Sequence, residues 1–249
     1  MNNNIYTYLF LCPLLFIAGF VDAIGGGGGL ISLPAYLMAG LPAHTAIATN
    51  KLSGCCGTLV ATYGFAKNKC INYKLAIEAI IFALIGSYFG ANLSLLIDEK
   101  IITYLFYLLI PVCALIVLNK KCLADTNQEF VLNKKVHCII CICSFVIGIY
   151  DGFYGPGTGT FLLIAFSIFA KMDVQNSNGL SKVVNLSSSI MSLLIFIINR
   201  QVIFSLGIIC ALCNMLGGYI GSNLAIKQGS KITRPIIIVV LILLFLKVL

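Results

Sequence analysis

Lys51 and Lys182 stand deep inside apolar stretches, in Thr49-Asn50-Lys51-Leu52 and Leu180-Ser181-Lys182-Val183. A lysine at the centre of a membrane helix costs roughly 3 kcal/mol or more. This chain bears that cost twice, at matching places. The chemistry that would justify it is a site for a negatively charged group.

Each lysine follows a glycine-rich break: Gly25-Gly26-Gly27-Gly28-Gly29 before the first, Gly155-Pro156-Gly157-Thr158-Gly159 before the second. A helix starting at such a break points free backbone N–H groups and the positive end of its dipole at the break. Glycine lets a ligand approach those N–H groups, which makes an anion cradle. Asn50, Ser181 and Asn185 lie beside the lysines and add hydrogen-bond donors. The predicted substrate-binding set is therefore Lys51, Lys182, Asn50, Ser181, Asn185, Gly26, Gly27, Gly28, Gly29, Gly157, Thr158, Gly159 and Thr160.

Asp22 and Asp151 precede the two breaks and have two readings. Each can cap its loop through backbone N–H bonds, or carry a coupling proton whose affinity changes as anion and lysine come and go. Either aspartate could also pair with a lysine. A hinge for the glycines and snorkelling for the lysines are the plainer alternatives. Five consecutive glycines exceed what a hinge needs.

The elements that must position these residues follow from composition. The chain has 249 residues, 60% of them hydrophobic and only 10% charged. Soluble domains are roughly 45–50% apolar. Nearly uncharged runs cover residues 5–24, 75–97, 101–118, 136–150, 183–199, 201–226 and 236–249. Runs near ~20 residues indicate membrane helices rather than barrel strands. The predicted class is an all-α polytopic membrane protein with no soluble domain. Met1-Asn2-Asn3-Asn4 lacks a basic region, so residues 5–24 are expected to remain as part of the mature protein. The net charge of +8 reads as lysines that set orientation, and no nucleic-acid partner is implied.

The two halves repeat. Gly86-Ser87-Tyr88-Phe89-Gly90-Ala91-Asn92-Leu93 aligns with Gly217-Gly218-Tyr219-Ile220-Gly221-Ser222-Asn223-Leu224 at an offset of 131, which also places Lys51 on Lys182. Before the glycines the offset is 129, placing Gly19 and Asp22 on Gly148 and Asp151. The first repeat is predicted as a re-entrant hairpin over 5–40 and helices over 43–66, 72–97 and 101–119. A cytoplasmic linker covers 120–135. The second repeat is a hairpin over 136–170 and helices over 174–199, 201–226 and 232–249. Read as one helix, residues 29–66 would run about 57 Å, nearly twice the ~30 Å hydrocarbon core.

Charge decides the topology. With hairpins, one face carries eleven of the lysines and arginines and the other three. The positive-inside rule puts the richer face in the cytoplasm and both termini outside it. Three full crossings per half then make the repeats inverted, as in many secondary transporters. Lys51 and Lys182 would each lie about 12 Å into their helices, entering from opposite faces toward one midplane site.

Other features read as structure. Gly86, Gly90, Gly217 and Gly221 form small-residue faces for close helix approach. Glu78, His44 and His137 fall near span ends. Cys210-x-x-Cys213 has no second pair and no nearby histidine, so neither metal nor cofactor is implied. The glycine runs lack the context of nucleotide-binding loops.

Gly19-Phe20-Val21-Asp22, the run from Gly25 to Pro34, Ala48-Thr49-Asn50-Lys51-Leu52 and Tyr150-Asp151-Gly152-Phe153-Tyr154-Gly155-Pro156-Gly157-Thr158-Gly159-Thr160-Phe161 resemble the TauE/SafE (DUF81) sulfite exporter family of permeases. The resemblance spans both halves and is greatest to the bacterial branch of probable inner-membrane transporters. It implies a permease or exporter for sulfite, a sulfonate or another small organic acid. The residues themselves indicate an anion site, served by a small anionic substrate, the lipid bilayer and a coupling proton or cation. The expected activity is secondary transport by alternating access in the plasma membrane. A passive anion channel is the alternative. An intramembrane enzyme is a remote one, because no nucleophile–base pair is evident.

Overall fold

The computed structural model describes residues 5–98, 132–233, 235–237 and 239. The spans expected over 101–119 and most of 232–249 lie outside the described residues, as does the linker over 120–131. Eight long helices are described: α1 (Ile5–Gly25), α2 (Gly29–Met38), α3 (Ala43–Lys67), α4 (Tyr73–Leu96), α5 (Lys134–Phe153), α6 (Thr158–Phe169), α7 (Val174–Ile198) and α8 (Phe204–Gln228). Among the described residues there is no strand.

Local sequence explains the helix starts. Asn72 accepts from the N–H groups of Lys74 and Leu75, Asn133 from Val136, and Asp173 from Gln175 and Asn176. Each satisfies donors that a helix start leaves orphaned. Gly40, at φ +85°, turns the chain after α2, and Pro42 leads into α3. Its missing N–H costs nothing there.

α1, α4, α5, α7 and α8 are long and apolar enough to cross a membrane. α3 is equally long at 25 residues, but it carries Thr49, Asn50, Lys51, Ser53 and Thr58. α2 and α6, with 10 and 12 residues, reach only about 15–18 Å and cannot cross alone. The arms of each helical pair are unequal, since α1 has 21 residues and α5 has 20.

The outward surface is apolar. Ile81, Phe89 and Leu93 of α4 and Ile208, Leu212, Leu216 and Ile220 of α8 are all exposed. On the same two helices the buried positions from Ala76 to Ser94 and from Gly207 to Ala225 are small or polar. This inverts a soluble protein and suits lipid.

Helix contacts repeat between the halves with the partners exchanged. A Cβ at Gly86 would lie 2.3 Å from the Phe145 carbonyl oxygen, and one at Gly90 would lie 2.0 Å from that of Ile149. A Cβ at Gly217 would lie 2.0 Å from the Phe16 oxygen, and one at Gly221 would lie 2.4 Å from that of Phe20. Thus α4 packs backbone to backbone on α5 as α8 does on α1. Gly90→Val is expected to push α4 off α5 and cost about 1–3 kcal/mol. A thermal melt of the detergent-solubilised protein, against a conservative change at lipid-facing Leu93, measures it.

Two apolar clusters flank a polar band. One joins Leu33, Ala35 and Tyr36 of α2 to Ala46–Ala48 at the start of α3 and to Ile195 and Phe196 at the end of α7. The other joins Leu162 and Phe166 of α6 to Phe65 near the end of α3 and to Leu180 and Val184 early in α7. α3 and α7 therefore run in opposite directions between the same two clusters. Their polar stretches, Asn50 to Thr58 and Asn185 to Ser192, lie between them.

Candidate functional site

The glycine breaks form two tips that touch each other. Gly26, Gly27, Gly155 and Gly157 all have positive φ, a region in which side chains are strained. A Cβ at Gly26 would lie 2.1 Å from the Thr160 nitrogen, and one at Gly29 would lie 2.9 Å from Pro156 Cα. Thr160 Oγ1 donates to the Gly25 carbonyl at 2.9 Å, which ties the tips together. Tyr150 OH donates to the Pro156 carbonyl at 2.6 Å and braces the second tip. Gly26, Gly29 and Gly159 are therefore spent on tip-to-tip packing.

The lysines and aspartates pair crosswise. Lys51, from the first half, meets Asp151 of the second with Nζ 2.8 Å from Oδ1. Lys182, from the second half, meets Asp22 of the first, with Nζ 3.4 Å from Oδ2 and a further donation to the Asp22 backbone carbonyl. Supporting hydroxyls follow the same symmetry. Ser189 donates to Asp151 at 3.1 Å, and Thr58, its equivalent at the offset of 131, donates to Asp22 at 3.5 Å.

The pairs differ in surroundings. Asp151 is 1% exposed, and Ser188 also donates to its Oδ2, at 2.7 Å. Asp22 has a backbone donor in addition to Thr58, with Gly28 N–H donating to its Oδ1 at 3.2 Å. Lys182 is fully buried. Lys51 reaches the wall of a cavity of about 50 Å³, which it shares with Asp151, Asp22 and both tips. A water-sized group needs ~10–15 Å³ on this measure, so the space suits a few waters or a small ion.

Of the residues predicted from sequence, Lys51, Asn50, Asn185, Gly28, Gly29, Gly157, Thr158 and Gly159 line this cavity, with Asp22 and Asp151. Lys182, Ser181, Gly26, Gly27 and Thr160 do not. Lys182 is turned onto Asp22, Ser181 donates to the Asn178 carbonyl at 2.8 Å, and Gly26 and Thr160 are occupied by tip packing. Gly155 of the second break also lines the cavity, as do Ala18, Ser32, Gly54, Thr58, Ser189 and Asn214, which were not singled out in the sequence. The signal available for Thr58 was its register: it stands on Ser189 at the repeat offset, as Lys51 stands on Lys182. Among the described residues no group of three or more His, Cys, Asp or Glu is placed to hold a metal. Glu78 and His137 form a separate pair across α4 and α5, 2.6 Å apart.

Apolar flanks, small residues at the helix crossings and a buried charged cavity define a helical membrane protein with a polar interior site. The sulfite exporter TauE/SafE family model matches residues 11–248, and the chain belongs to that family. It is 32% identical to the probable membrane transporter protein ORF9 of a Sinorhizobium species, over 96% of this chain and 91% of that protein. It is 31% identical to the probable membrane transporter protein YfcA of Escherichia coli K12, over 90% of this chain and 82% of that one. A probable membrane transporter protein of Haemophilus influenzae is also 31% identical, over 90% of this chain and 87% of its own length. No solved structure matches the chain.

Proposed function

We propose that this permease is a secondary transporter of a small anion, such as sulfite, a sulfonate or another organic acid. The observation that carries the reading is Lys51, a buried cation on the wall of a small polar cavity formed by two glycine tips. Asn50 lines the same cavity, and its amide N–H groups are donors that an anion can use.

The chain would sit in the inner membrane as two inverted repeats, with each tip re-entrant and both termini outside the cytoplasm. The opposed directions of α3 and α7 support this arrangement. Rocking of one repeat against the other would open the cavity to each side in turn.

Uptake into proteoliposomes, measured for sulfite, thiosulfate, methanesulfonate, sulfoacetate and acetate, tests the activity. Saturable flux with exchange of internal for external anion is expected. Unitary currents would instead mark a channel, and no flux of any of these anions would sink the reading. A reporter fused to either terminus is expected to respond from the outside; cytoplasmic signal at either end would overturn the topology.

A further inference from the structure

Lys51 and Asp151 sum to no charge, and so do Lys182 and Asp22. An anion entering this balanced site would bring an uncompensated negative charge into an apolar protein interior, which is costly. One of the carboxylates has to give way, and the two are built differently. From the way each is held, and resting on the transport reading above, we infer that the permease moves one proton with each monovalent anion and that Asp151 carries the proton.

The hydrogen bonds discriminate between the aspartates. Asp22 is held on Oδ1 by the N–H of Gly28, which can only donate, and the Thr58 hydroxyl reaches its Oδ2 at 3.5 Å, farther than either serine contact to Asp151. Its partner Lys182 is fully buried, away from the cavity wall, and also grips the Asp22 backbone carbonyl. Protonating Asp22 would free nothing for an anion.

Asp151 is held on Oδ2 by the hydroxyls of Ser188 and Ser189, at 2.7 and 3.1 Å. A hydroxyl can turn from donor to acceptor. A proton arriving on Oδ2 is therefore received by a serine oxygen, with no hydrogen bond lost from the carboxyl group. Lys51 stays charged and keeps its place on the cavity wall, 3.5 Å from Ser189, with its carboxylate partner now neutral. The anion takes the vacated charge. Water on the entry side supplies the proton, and it leaves with the anion on the other side. No net charge crosses.

Among the described residues, the titratable groups that face Asp151 are its partner Lys51 and Cys55, both on α3. α7 contributes Ser188 and Ser189, and Ser87 of α4 donates to the Ser188 carbonyl. The second carboxylate on the cavity wall, Asp22, belongs to α1 and is occupied by Lys182. None of these groups offers Asp151 a second cation.

The test uses the full-length protein in liposomes with methanesulfonate as the probe, since that anion stays ionised throughout the working pH range. An internal pH dye counts protons while labelled anion is counted separately, with the membrane voltage set by potassium and valinomycin. Wild type is expected to take up one proton per anion, at a rate indifferent to voltage and rising as the external pH falls. In Asp151→Asn the proton count should fall to zero and the remaining flux should become voltage-dependent. Ser188→Ala/Ser189→Ala removes two donors from the carboxylate and should carry the pH profile toward higher pH. This keeps the inference testable if Asp151→Asn does not fold.

Wild-type anion flux without protons, or proton movement that persists in Asp151→Asn, overturns the inference and leaves the transport reading standing. An unmoved pH profile in the serine variant also overturns it. Absence of methanesulfonate flux in wild type removes sulfonates from the transport reading and this inference with them.

Discussion

Replacing the Lys51–Asp151 pair by Met and Asn is expected to abolish most anion flux while the protein still folds. Exchanging both partners of a buried ion pair for neutral residues is often close to neutral for stability, because the desolvation cost of both charges disappears with their attraction. Among the described residues, the cavity loses its one lining cation. A hydrogen bond to a charged group is worth about 1.5–3 kcal/mol, or roughly 10- to 150-fold in affinity. Initial uptake rates at low anion concentration, normalised to monodisperse protein, would measure this. Flux within about twofold of wild type would be incompatible with Lys51 as the anion's partner.

The single change Lys182→Met is expected to act on the fold instead. It leaves Asp22 facing an apolar side chain in the middle of the molecule, where Lys182 is fully buried. Breaking a buried pair from one side costs about 3–5 kcal/mol. The protein should lose its sharp elution profile after mild heating, well before wild type does. Adding Asp22→Asn should restore most of the lost stability. A Lys182→Met protein as heat-resistant as wild type would show that the pair does not anchor the first tip. The two lysines, equivalent in the repeat, are thus expected to fail in different assays.

The helical class, the repeat and the principal charged residues were legible in the sequence because membrane burial makes them conspicuous. A lysine, an aspartate or a run of glycines in an apolar stretch has few neutral explanations. Partnership was harder to read. The offset of 131 shows that Lys51 and Lys182 are equivalent, but equivalence does not say which aspartate each one meets. That depends on how the halves cross. The division of labour was equally hidden, because both lysines look alike until the exposure of each Nζ is known. Ser32, Thr58, Ser189 and Asn214 escaped notice because single small polar residues are common at membrane helix crossings. Glu78 and His137 each read as an interfacial residue, and only the packing of α4 on α5 brings them together. The glycine tips carried two demands at once. The sequence signalled a ligand cradle, whereas the structure shows that close approach of one tip to the other already favours glycine at both Gly26 and Gly29.

The crossed pairing ties the inheritance of the two halves together. Drift is free to erase the resemblance between the repeats at most positions, since each half folds with its own side chains there. It is not free at positions 51 and 151, or at 22 and 182, because a change of charge in one half leaves an unanswered charge in the other. Across relatives, these positions should therefore change in concert, 51 with 151 and 22 with 182, even though 100 or more residues of chain separate the members of each couple. Sequence position 182 should follow 22 more faithfully than it follows its own repeat equivalent, 51. Descent from a common half would then have left its deepest mark in the pairs that hold unlike residues, and a weaker one in the residues that still look the same.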